Sequence, residues 1–163
     1  MTAQIAHLTT AHPRFDVRIF HKECCSLARQ GYRVDLYVAD NGGENTRNDV
    51  SIINVGAPTG RISRMFGKTW AVWNRVRKTD AKIIHIHDPE LLPVALTLKY
   101  MGRAIIYDVH EDVPRQLLSK PWIKPWIRRA IAWLFEHLEN FVARRCSLII
   151  CATPHIAKRF TAQ

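Results

Sequence analysis

Two stretches constrain the fold of this chain more than any other: KIIHIH (82–87) and AIIYDV (104–109). Both are short, nearly continuous runs rich in β-branched residues, the pattern of strands buried on both faces of a parallel sheet. Between them PELLPVALTLKYM reads as a helix, stopped by Gly102. Strand, helix and second strand make a βαβ unit, whose helix crosses over one face of the sheet.

The same alternation runs through the rest of the chain. QIAHLT (4–9) reads as a first strand, and VRIFHKECCSLARQ (17–30) as a helix with Phe20, Cys24, Leu27 and Ala28 on one stripe, ended by Gly31. RVDLYVA (33–39) and SIINVG (51–56) follow as strands, separated by the polar loop DNGGENTRND. A basic helix is expected over 61–79, a long helical region after Pro121, a strand at SLIICAT (147–153), and a last helix begun by Thr153 and Pro154. This order predicts an α/β fold: one Rossmann-like, doubly wound domain over residues 1–163, its mainly parallel sheet flanked by helices.

Composition narrows the setting. No apolar run is long enough to span a bilayer, and MTAQIAHLTT lacks the charged start and cleavage site of a signal peptide. Cys24 and Cys25 are adjacent while Cys146 and Cys151 lie far off, so no CxxC pair suggests zinc and buried, reduced thiols are expected. The simplest location is cytoplasmic. A net charge of +10 asks for an anionic partner: nucleic acid, acidic lipid or a phosphorylated ligand. No nucleic-acid recognition motif accompanies the charge. The turn after the first strand, TTAHPRFDVR, contains no glycine, which argues against the usual dinucleotide oxidoreductase.

Ligands of open α/β sheets bind off the carboxyl ends of the strands. Here two of those ends read HIHDPE and YDVHED, so adjacent strands would gather His87, Asp88, His110, Glu111 and Asp112 on one rim. Asp88-Pro89 also has the form of a helix N-cap followed by proline at the first turn, and Glu111 and Asp112 precede another helix. His85 lies deeper on the strand face of His87 and is expected to be a hydrogen-bonded core histidine. A metal held by His85, His87 and His110 is conceivable, but an HxH pair without a further fixed-spacing ligand is weak, and none is expected. His110, at a strand end opening into a loop, suits donation to a phosphate or hydroxyl in a cleft.

The segments AHPRFDVRIFHKECCSLARQGYRVDLYVA, IIHIHDPELLPVALTLKYMGRAIIYDVHEDVPRQLLSKPWI and SLIICATPHIAKRF together resemble the N-terminal half of bacterial family 4 glycosyltransferases. The resemblance implies a GT-B enzyme, in which two Rossmann-like domains face each other across a cleft and transfer usually retains anomeric configuration. It further implies that this half chiefly takes the acceptor, while an absent C-terminal domain chiefly binds the nucleotide sugar. The chain alone is then not expected to catalyse transfer. The position of His110 matches a family histidine that reaches donor sugar or phosphate, and Asp16, Arg18, His87 and Glu111 are expected to line the cleft, Asp16 being equally suited to an N-cap. The donor is a substrate, and no cofactor is implied.

Two basic segments carry aromatic residues. Residues 61–82 hold seven Lys or Arg against one acid, and residues 113–145 hold seven against two, with Trp122, Trp126 and Trp133 interleaved. Trp122, Lys124, Trp126, Arg128 and Arg129 have the composition of a membrane-interface helix, compatible with a peripheral position at the inner membrane face. Alternatively the aromatic stripe packs on the sheet and the cations are solvated. Other uses for exposed apolar surface are docking of the absent domain or self-association. The leading reading is the acceptor-side domain of a glycosyltransferase acting on a lipid-linked or polysaccharide acceptor in bacterial surface glycan assembly. The alternatives are a non-catalytic basic α/β module binding a membrane or protein partner, and a metal-dependent hydrolase.

Overall fold

A computed structural model of the chain describes residues 3–161. Seven strands form one sheet: β1 Gln4–Leu8, β2 Arg33–Val38, β3 Asn45–Arg47, β4 Val50–Asn54, β5 Ile83–Ile86, β6 Ala104–Val109 and β7 Leu148–Cys151. Their order is β3-β4-β2-β1-β5-β6-β7, with every pairing parallel except β3 against β4. The order reverses at β1, which lies between β2 and β5, and this switch point is where an open α/β sheet leaves a crevice. The Rossmann-like, doubly wound, mainly parallel architecture expected from the alternation is the one observed.

Among the described residues, six helices flank the sheet. Helix α1 opens with a π-wound segment, Val17–Cys24, and continues α-helically over Cys25–Arg29. Helix α2 likewise joins a π-wound Ser63–Lys68 to Thr69–Val76. Helix α3 begins with a 3₁₀ turn, Pro89–Leu91, and runs over Leu92–Tyr100. Helices α4 (Val113–Leu118), α5 (Pro125–Ala143) and α6 (Pro154–Thr161) follow. Thr153 caps α6 by accepting from Ile156 N at 3.3 Å.

The period of two along each strand sorts the core into two sides. Ala6 and Leu8 of β1, Ile84 and Ile86 of β5, and Tyr107 and Val109 of β6 join one buried cluster with residues of α2, α3, α5 and α6. On the other side, Val34, Leu36, Val38, Val50 and Ile52 pack against Ile19, Phe20, Cys24, Cys25 and Ala28 of α1. Phe20, Cys24 and Ala28 of the expected stripe are buried; Leu27 is half-buried, because the wider π turn brings Ile19 and Cys25 inward.

One element of the expected polar loop is a strand. β3 forms a hairpin with β4 through Asn48 and Asp49, both at positive φ (51° and 60°). That conformation is tolerated by Asn and Asp and twists a two-residue turn to match its strands. Asn45, Thr46 and Arg47 are all exposed, so β3 carries no apolar alternation that would mark it in sequence.

Candidate active site

Residues of opposite parity to the buried Ile and Leu positions point to the α1 side. His7 pairs in register with His85, and Ile86 with Tyr107, which sets His87 beside Asp108. His7, His85, His87 and Asp108 are buried, with His87 only 2 % exposed. A row of polar side chains thus crosses the switch point beneath α1. His87 lies in the floor of the crevice, deeper than the pocket lip its strand-end position suggested.

Helix α1 covers this row with two side chains. Arg18 donates through Nη2 to Asp108 Oδ1 at 2.6 Å and through Nε to Asp108 Oδ2 at 3.0 Å. Its Nε also lies 3.3 Å from Glu23 Oε1. Residues five apart on an α-helix point about 140° from one another. The π-wound turn, with His21 N bonded to Asp16 O, brings Arg18 and Glu23 to the same side. Glu23 Oε2 then sits 3.9 Å from His7 Nδ1, 3.9 Å from His85 Nδ1 and 3.8 Å from His87 Nε2.

The histidines contact one another directly. His7 Nδ1 is 3.0 Å from His87 Nε2, and the His85 and His87 rings stack with centroids 4.4 Å apart. Burial pushes the His7, His85 and His87 imidazoles toward neutrality, His85 to about 3, and the neighbouring imidazoles add to this. Burial, with the Asp108 charge nearby, pushes Glu23 up to about 7. Asp108 shows the opposite outcome. Burial opposes its charge, but His110 and His87 beside it outweigh burial and hold the carboxyl well below the usual range.

His110 is half-buried at the end of β6, its Nε2 3.1 Å from Asp108 Oδ2, and this carboxylate raises the pKa of the imidazole. His12, in the turn after β1, faces it with ring centroids 4.8 Å apart. A partly exposed imidazole backed by a buried carboxylate is well suited to donate to an anionic oxygen.

Asp88 holds the start of α3 by position only. Its side chain makes no cap bond there. Instead Asp88 Oδ2 accepts from Thr9 Oγ1 at 2.8 Å, Thr10 N at 2.5 Å and Ala11 N at 3.1 Å, and Oδ1 lies 3.3 Å from His12 Nε2. The carboxylate therefore shapes the glycine-free turn after β1. Glu90, one residue beyond Pro89, accepts from Thr10 Oγ1 at 3.0 Å and pairs with Arg64 of α2 at 2.8 Å.

Of the other expected site residues, Asp16 caps α1, accepting from Arg18 N at 2.8 Å and Ile19 N at 2.9 Å. Glu111 is exposed and accepts from Gln116 Nε2 at 3.0 Å. Asp112 caps α4 and also pairs with Arg159 at 2.9 Å. His85 is buried as expected, but its Nε2 has no hydrogen-bond partner among the described residues. His7, His12, Glu23 and Asp108 were absent from the expected set. The signal for Asp108 was present in sequence: an acid in the strand AIIYDV at the parity opposite to Tyr107 and Val109.

Of these groups, His12, His87, Asp88, Glu90, Asp108, His110 and Glu111 line a cleft of about 580 Å³, which Asp16 and Arg18 do not line. Beside it runs an apolar groove of about 560 Å³ between α2, α3 and α5, lined by Met65, Phe66, Trp70, Trp73, Phe135 and Leu138 among others. Met65, Pro89, Glu90 and Phe135 line both, so cleft and groove adjoin one another.

The basic, aromatic segments face outward. Trp122 and Trp126 are each 69 % exposed, with Lys124 and Arg129 exposed beside them and Arg128 half-buried, donating to Lys120 O at 3.3 Å. Helix α5 buries Ala132, Glu139, Val142 and Ala143 instead of its tryptophans. Ile62, Phe66 and Trp70 of the α2 region are exposed too. The alternative in which the tryptophan stripe packs on the sheet is therefore not the one adopted. Among the described residues, no helix is long and apolar enough to cross a membrane.

The four cysteines are free, Cys24 and Cys25 buried and Cys146 and Cys151 half-buried.

Comparison with known proteins places this geometry in a family. Sucrose-phosphate synthase from Thermosynechococcus elongatus superposes with a TM-score of 0.71 at 13 % identity, over 98 % of this chain and 45 % of that one. A second structure of that enzyme gives a TM-score of 0.62 at 13 % identity, over 94 % of this chain and 78 % of that one. At such identity the likeness is one of fold: a Rossmann-like half of a GT-B architecture. This chain spans less than half the length of the first of these structures. Comparison with curated protein sequences yields no match. The profile of Glycosyltransferase Family 4 matches residues 17–163, which include α1, the strand ends HIHDPE and YDVHED and every helix of the cleft, and the chain belongs to that family.

Proposed function

We propose that this chain is the acceptor-side half of a retaining glycosyltransferase, which moves a sugar from a nucleotide-sugar donor to a lipid-linked or polysaccharide acceptor in bacterial surface glycan assembly. The observation that carries the reading is the adjacency of the polar cleft and the apolar groove, which share Met65, Pro89, Glu90 and Phe135 as lining residues. A lipid-linked acceptor has the same two parts: a polar head to set against His12, Asp88 and His110, and a hydrocarbon portion for the groove.

In this reading His110 donates to the donor sugar or its phosphate as negative charge develops on the leaving group, and Asp108 keeps the imidazole charged and oriented. Asp16 and Arg18 act through the first helix, the one capping it and the other clamping Asp108. Glu111 stands at the cleft margin. The nucleotide sugar is bound chiefly by a second Rossmann-like domain outside these 163 residues, so transfer belongs to the longer protein. The exposed tryptophans and cations of 122–129, with Ile62, Phe66 and Trp70, rest peripherally on an anionic membrane, presenting the groove to lipid.

The test is sugar transfer by the full-length gene product, with and without His110→Ala. A loss of 10²-fold or more in kcat is expected from removal of one positioned proton donor. Unchanged kcat would remove His110 from the reaction, and absence of transfer to any glycan or lipid-linked acceptor would overturn the reading. A non-catalytic basic module is the second reading, and it rests on the same exposed basic, aromatic surface. It predicts membrane binding without transfer.

A further inference from the structure

The geometry points to a divalent transition-metal site, of the kind zinc fills, formed by His7 Nδ1, His85 Nδ1, His87 Nε2 and Glu23 Oε2. These four donor atoms all lie within 4.8 Å of one another. Of the six separations, that of His7 to His87 is 3.0 Å, those from the glutamate oxygen to each histidine are 3.8 to 3.9 Å, and those from His85 to the other two histidines fall within the 4.8 Å bound. Donors on a tetrahedral ion at about 2.0–2.1 Å stand about 3.3–3.4 Å apart. Side-chain rotations that shorten the longer separations would close the four around one ion.

The chemistry of the set favours a borderline ion over calcium or magnesium, which take oxygen ligands. Three imidazoles and one carboxylate saturate a tetrahedral sphere, so the site is closed and structural. It would tie the carboxyl ends of β1 and β5 to α1 at the switch point, under the cleft floor. Glu23, 20 % exposed at its side chain, is the most exposed of the four residues.

Three further observations bear on it. Glu23 Oε2 is buried and has no hydrogen-bond partner among the described residues, although it faces three ring nitrogens. Committing His7 Nδ1 and His85 Nδ1 to an ion moves their protons to Nε2 atoms that have no protein partner among the described residues, so no bond on that side is broken. His87 is backed by a carboxylate: its Nδ1 lies 3.5 Å from Asp108 Oδ2, the carboxylate–histidine arrangement that orients metal ligands. A second grouping, His87 with Asp108 and His110, shares that ring. It is the weaker site, because Asp108 is already neutralised by the two hydrogen bonds from Arg18.

An HxH pair alone did not warrant a metal in sequence, and His7 and Glu23 complete the set only through the β1–β5 register and the π-wound turn. The inference stands apart from the proposed function, since a closed structural ion requires no transfer chemistry. Its test is metal analysis of the purified protein after dialysis against Zn²⁺ or Co²⁺ and removal of excess. One tightly held equivalent per chain is expected, and Co²⁺ should give the intense visible absorption of a tetrahedral site. Glu23→Gln and His85→Ala should each lower bound metal at least tenfold, while replacement of His137, which is exposed and remote, should leave it unchanged. Should either variant fail to fold, the cobalt spectrum of the unaltered protein decides alone. No stoichiometric metal, or an octahedral cobalt spectrum, would overturn the site, as would full binding by folded Glu23→Gln and His85→Ala.

Discussion

Arg18 at the start of α1 clamps Asp108 near the end of β6 through two hydrogen bonds, 2.6 and 3.0 Å long, across ninety positions of sequence. The Asp108 side chain is fully buried and that of Arg18 about one-third exposed. Arg18→Ala would remove two guanidinium hydrogen bonds from a buried carboxylate and leave the imidazoles of His110 and His87 beside it. Removing one partner of a buried pair costs about 3–5 kcal/mol, and the exposure of Arg18 puts this case near the lower figure. Urea denaturation of the variant should show that loss, with a smaller one for Arg18→Lys, which keeps the charge but not the fork. A loss within error for Arg18→Ala would mean that the clamp does not hold α1 to β6.

Asp88 distinguishes two roles with one pair of substitutions. If it merely began α3, Asp88→Ser would preserve the cap at little cost. Because its carboxylate accepts from Thr9, Thr10 and Ala11, serine is too short to replace it. Asp88→Ser should then destabilise by at least about 1.5–3 kcal/mol, the worth of one hydrogen bond to a charged group. Asp88→Asn, which keeps an acceptor oxygen, should lose less. Equal stability of Asp88→Ser and the unaltered protein in thermal melts would return Asp88 to the helix.

The pair Arg14–Asp40, which does not line the cleft, carries a pH signature of its own. Arg14 donates through Nε and Nη2 to the two oxygens of Asp40 at 2.8 and 2.7 Å, and this holds the Asp40 carboxyl below its ordinary value. A depressed folded pKa contributes stability that is complete above the unfolded value of about 3.9 and is lost as pH falls through the folded one. Asp40→Asn should therefore be less stable than the unaltered protein at pH 7, with the gap narrowing on acidification below about pH 4. Melts at several pH values check this; a gap of constant size would show that the ion pair is not its source.

Trp122 and Trp126 are largely solvent-exposed, so replacing both by alanine should leave stability within about 0.5 kcal/mol per site. Sedimentation with anionic vesicles should nonetheless fall several-fold, and more steeply at high salt, since rings and cations act together. Undiminished pelleting would move the membrane contact elsewhere, and no pelleting of the unaltered protein would remove it.

The architecture was legible because its signals are local. The β-branched runs of β5 and β6, the helix between them and the stops at Gly31 and Gly102 each follow from a few adjacent residues. What escaped lacked such a signal. β3 is three exposed residues recruited by its partner strand, and the π winding of α1 is not marked by any residue type within it. The basic helices could be read from composition, but not which way their tryptophans point.

The site divides in the same way. HIHDPE and YDVHED marked the carboxyl ends of two strands, and the alternation of Ile with His in IIHIH already placed both histidines on one face. Only the tertiary structure decided what that face meets. Strand register set His7 beside His85, a π-wound turn carried Glu23 over them together with Arg18, and Asp88 turned from its own helix to the loop after β1. Periodicity states which residues share a side of an element, because each step along the chain rotates the side chain by a fixed angle. It does not state which elements will lie against that side. Here the charge state and partners of every site residue depend on that second fact.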